Sequence, residues 1–85
     1  MSTMRAKLRV GFVHENFYPE TVKTSETLKF HAVPAPKYDP DGLDEDNTFA
    51  KFSPSADLSI NIMNPELFGK FKAGDTFYVD FTPAP

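Results

Sequence analysis

Few residues of this chain have the types and spacing that covalent chemistry needs. A nucleophile requires a cysteine, or a serine held beside a base. The 85 residues contain no cysteine, and none of their serines stands in a Gly-x-Ser-x-Gly turn. His14 and His31 are the two histidines; they are far apart and neither has a motif around it. Polar faces of strands account for both. The four glycines, at positions 11, 42, 69 and 74, are scattered, so no glycine-rich loop is present to cradle a phosphate. The expectation is a protein that is not an enzyme.

Metal binding is the next chemistry to weigh. Asp39, Asp41, Asp44, Glu45 and Asp46 place five carboxylates within eight residues. Calcium takes about 6–8 oxygen ligands, which a flexible acidic loop can supply. The EF-hand order, with its loop glycine and closing glutamate, is absent. Asp39-Pro40-Asp41-Gly42 is also the composition of an ordinary turn. A solvated loop or an acidic contact surface is therefore expected ahead of a weak calcium site. No cofactor is implied.

The cations have a clearer arrangement. Arg5, Lys7 and Arg9 alternate along one segment, and Lys29 and His31 extend the basic row on a neighbouring one. Residues 1–30 carry five positive and three negative side chains, residues 31–85 four and nine, giving +2 and −5 and the net charge of −3. A row of this kind can follow a few phosphates. Bases would then need exposed aromatics, for which Tyr18, Tyr38, Tyr78 and Phe49 are the candidates. The acidic total makes nucleic acid the less favoured partner. Two oppositely charged patches suit assembly with itself or with another protein, because complementary fields steer association.

The elements that must position these groups follow from periodicity. Met4, Ala6, Leu8, Val10 and Phe12 alternate with Arg5, Lys7 and Arg9, as a half-buried strand requires. His14 to Tyr18 is ambiguous, and Pro19-Glu20 reads as a turn or the start of a loop. A second strand is expected over Val22 to Val33, with Leu28, Phe30 and Ala32 inward. Pro34 and Pro36 end it, and a Pro/Asp-rich loop spans 34–47. Thr48 to Ser53 reads as a short strand, Leu58 to Ile62 as a stronger one, and Phe77 to Phe81 as the last. Between the last two, Asn64 is a good N-cap and Pro65 suits a first helical position, predicting a short helix near 65–72.

The length allows one small domain, 1–85, ending in an extended tail at 82–85. The fold class expected is mainly β: a five-stranded barrel or sandwich, SH3-like first and OB-like second, since closure removes exposed edges. Phenylalanines 12, 30, 52, 71, 77 and 81 fall on apolar faces and are expected in its core. No apolar run reaches the ~20 residues of a membrane span, and Met1 to Arg5 lead into no signal-like stretch. A cytosolic protein that acts by binding is expected.

One resemblance adds to this. The run Asn47 to Ile60, then Asn64-Pro65, then Phe71-Lys72-Ala73-Gly74-Asp75-Thr76-Phe77-Tyr78-Val79-Asp80-Phe81-Thr82-Pro83-Ala84, resembles the C-terminal region of small, largely uncharacterised proteins of tailed bacteriophages. It implies a phage origin, a compact β domain and residence in the host cytoplasm or the virion. The function expected is an oligomeric virion structural or accessory component, decorating or cementing the particle. The alternative is an early protein that binds single-stranded nucleic acid, a nucleotide signal or a host defence protein. No catalytic residue carries over.

Overall fold

Strand β1 (Met4–Phe17) is much longer than its clean alternation. It pairs antiparallel with β2 (Lys23–Ala32), and the turn between them closes through Tyr18 N–H to Val22 O at 2.8 Å. β3 (Asp57–Ile62) lies on the far side of β2, and β4 (Thr76–Phe81) on the far side of β1. The computed structural model describes residues 3–85. Met1 and Ser2, part of the leader reading, lie outside them.

The protein is mainly β with almost no helix, but two expectations are corrected. The described residues form four strands instead of five, in one antiparallel sheet of order β3-β2-β1-β4, and that sheet is not a closed barrel. Closure would require β3 to pair with β4. The link between them instead crosses the sheet's inner face and lays Phe68 and Phe71 on the core. The missing strand is Thr48 to Ser53. Ala50 N–H turns back to Asn47 O, Phe52 adopts φ 63°, and a lone bridge joins Leu43 to Lys51. Its two phenylalanines are three apart, which no strand places on one face.

The short helix shrinks to one 3-10 turn, Pro65–Leu67, although its start forms as expected: Asn64 Oδ1 accepts Glu66 N–H at 3.1 Å. Phe68 is already extended and Gly69 has φ 77°. The Gly69 N–H points to the Glu26 carboxylate at 3.2 Å, so a long-range bond replaces the next helical one.

Ala6, Leu8, Val10, Leu28, Phe30 and Ile62 form the buried core, with Val13, Phe71 and Phe77 packed against it. Val10 sits opposite Phe30 and Val13 opposite Leu28, with Gly11 as an extra residue between the two registers. That bulge reverses the phase of β1. Phe12 consequently leaves the core face and lies opposite Lys29, 51% exposed. Phe52 and Phe81 are also exposed, so Phe30, Phe71 and Phe77 are the three of the six expected phenylalanines that pack in the core.

Candidate functional site

The outer face of the sheet carries the basic row, and the 34–47 loop folds against one end of it. β2 stops at Ala32, which leaves the start of β1 without a partner on that side. Asn47 and Thr48 take its place. Lys7 N–H donates to Asn47 Oδ1 at 2.8 Å, Asn47 Nδ2 donates to Val33 O at 2.7 Å, and Thr48 N–H donates to Arg5 O at 2.9 Å. Asn47 is wholly buried.

Buried Asp44 holds Asn47 in place. Its Oδ1 accepts the N–H groups of Asp46 and Asn47, and its Oδ2 accepts Ala35 N–H and Asn47 Nδ2. Burial pushes the Asp44 carboxyl up, but these donors, led by Ala35 N–H, outweigh it and hold it below its ordinary value. Asp39 folds its own turn, accepting from Asp41 and Leu43 N–H at 2.9 Å each. Asp41 and Glu45 are exposed. The five carboxylates thus do separate work. Among the described residues, no three His, Asp or Glu side chains gather closely enough to hold a metal ion. A shallow hollow of about 420 Å³ lies beside Tyr38, Glu45 and Thr48, open to solvent.

The basic row and the acidic loop meet inside one chain. Arg5 forms a two-pronged pair with Asp80, Nε to Oδ1 at 2.7 Å and Nη2 to Oδ2 at 3.0 Å, and its guanidinium lies 4.6 Å from the centre of the Tyr78 ring. The hydrogen bond to Asp80 raises the Arg5 pKa, and the same bond lowers that of Asp80. Lys7 Nζ reaches Asp46 at 3.4 Å, and Tyr78 donates to the other Asp46 oxygen at 3.0 Å. Two of the five predicted basic residues are therefore neutralised within the fold. Arg9, Lys29 and His31 remain together, Arg9 directly opposite His31, with none of them in an ion pair among the described residues. Gly11 leaves room for the His31 ring: a Cβ there would stand 3.3 Å from Nδ1.

Two features were not legible beforehand. Phe12 joins Lys29 on the outer face because of the bulge. Apolar side chains also remain in water at several places, including Tyr18 and Val22 at the hairpin tip and Ile60 and Met63 on and just after β3. No family model, curated protein or solved structure matches this chain.

Proposed function

We propose that this protein acts by binding, as a subunit that packs against copies of itself, and that it serves as an accessory or structural component of a tailed-phage virion. The observation that supports self-association is the surface left open. A compact chain of 9.6 kDa exposes about 5,100 Å², and this one exposes 6214 Å². Its radius of gyration is 15.5 Å, against about 12 Å for a compact domain of its length. The exposed tail contributes, but so do an open sheet and large apolar side chains that a partner would cover. The phage origin is supported by the sequence resemblance described above.

Light scattering behind a sizing column tests the association. A mass at a multiple of 9.6 kDa supports it, and 9.6 kDa throughout overturns it. Peptide mass spectrometry of purified virions tests the location: many copies per particle are expected, and absence sinks the virion reading.

Phe12 favours a second reading, single-stranded nucleic acid on the outer face. An exposed aromatic beside Lys29, Arg9 and His31 offers a stacking surface with cations next to it. Because Arg5 and Lys7 are already paired, Arg9→Glu with Lys29→Glu is the informative change. It should abolish oligonucleotide binding at low salt, whereas Lys7→Ala should weaken it only slightly. No binding by the unaltered protein at low salt ends this reading.

A further inference from the structure

The sheet has three open edges, and two are guarded. β4 ends in a tail with Pro83 and Pro85, and its Asp80 is tied to Arg5. β1 beyond Val10 is broken by the Gly11 bulge and carries Glu15. Bulges, charges and prolines are the usual means by which proteins keep edges from pairing. β3 has almost none of them. Its sequence Asp-Leu-Ser-Ile-Asn-Ile contains a single charge, at its first residue, and neither a proline nor a bulge.

The phase of the ladder shows what this edge presents. Val33 N–H donates to Lys7 O, so odd residues of β2 face β1 and even ones face β3. Leu58, Ile60 and Ile62, opposite Phe30, Leu28 and Glu26, therefore bond inward to β2. Asp57, Ser59 and Asn61 turn their backbone N–H and C=O groups outward. On the inner face the same edge leaves Ile60 42% exposed, and Met63, just past the strand, is 71% exposed.

We propose that β3 pairs antiparallel with β3 of a second copy across a two-fold axis, joining two four-stranded sheets into one of eight. This rests on the self-association reading and names its interface. A two-fold axis at Ile60 sets Ile60 against its symmetry mate and Asp57 against Met63, which keeps the two carboxylates at opposite ends of the contact. The inner faces then become continuous. A stable interface removes about 800 Å² from each partner, within the roughly 1,100 Å² by which this chain exceeds a compact one. A second copy is the favoured occupant because an identical β3 presents the same apolar row and outward backbone groups.

Ser59 gives a clean test. Its N–H points outward, so Ser59→Pro removes an edge donor without breaking the β2 ladder. Circular dichroism should show Ser59→Pro folded, and sizing with light scattering should show association weakened at least about tenfold. The chain has no cysteine, so Ser59→Cys with a short bis-maleimide reports on this edge alone, and Thr76→Cys reports on β4. A covalent dimer is expected from Ser59→Cys and not from Thr76→Cys. If the unaltered chain associates but Ser59→Pro associates equally well, or Thr76→Cys is the one that cross-links, the β3 interface is wrong while self-association stands. If the unaltered chain is monomeric at every concentration, self-association falls, and the interface with it.

Discussion

Asp44→Ala is expected to lower the unfolding free energy by about 3 kcal/mol, read as a shift of the urea midpoint with an unchanged slope. The carboxylate accepts four hydrogen bonds, from Ala35 N–H, Asp46 N–H, Asn47 N–H and the Asn47 side chain, at 2.8 to 3.2 Å. Each buried donor stranded without a partner costs about 1–3 kcal/mol, and water entering the site relieves part of the sum. The loss then spreads, because Asn47 is the residue that stands in for β2 beside Lys7. Asp44 also sets the acid response. Its folded value lies below its ordinary one, so the unfolded chain binds the proton more readily. The stabilisation is complete above about pH 4 and is lost as pH falls through the lowered folded value. Asp44→Asn should flatten the acid limb of the stability profile. Asp80→Asn should change it little in moderate salt, since the Asp80–Arg5 pair is in water. An acid limb unaffected by Asp44→Asn would contradict this assignment.

Glu26→Ala should cost about 3–4 kcal/mol, by leaving a partly buried ammonium short of its partner. Glu26 is 1% exposed on the core face of β2, accepting from Lys23 Nζ at 2.5 Å and from Gly69 N–H at 3.2 Å. Lys23 lies 4.7 Å from the centre of the Phe68 ring, and the hydrogen bond to Glu26 raises its pKa. Together these contacts pin the link that crosses the inner face. Removing the carboxylate leaves Lys23 with Glu15 at 3.6 Å and strands Gly69 N–H. The double change Lys23→Met with Glu26→Leu should recover most of the loss, because an apolar pair of similar volume can replace a buried ion pair. About 1–2 kcal/mol should remain missing for Gly69 N–H alone. Chemical denaturation of the two variants beside the unaltered chain measures this directly, and a double variant no better than Glu26→Ala would show that the pair itself is indispensable.

Local pattern carried the strands and failed where distant groups decided. The inward sets Ala6, Leu8, Val10 and Leu28, Phe30 were readable because period two is enforced by the pleat. Phe12 was misplaced because a bulge of one residue, which periodicity does not announce, inverts everything after it. The helix near 65–72 was shortened by a carboxylate 43 positions earlier in the chain, Glu26, which takes the Gly69 N–H. The register sets Arg5, Lys7, Arg9, Lys29 and His31 on one face of the sheet. That Asp46 and Asp80 would consume Arg5 and Lys7 depended on how a loop and a terminal strand come back onto β1. Closure into a barrel was expected because small sheets need their edges covered. Here the edges stay open, and that opening supports the proposed assembly.

The concentration dependence of unfolding shows whether a second copy completes this surface. A chain whose surface is completed by a second copy gains stability by mass action, so its urea midpoint must rise as protomer concentration is raised from about 1 to about 200 µM. A midpoint that climbs across that range is the predicted result, and identical midpoints at both ends would contradict the account.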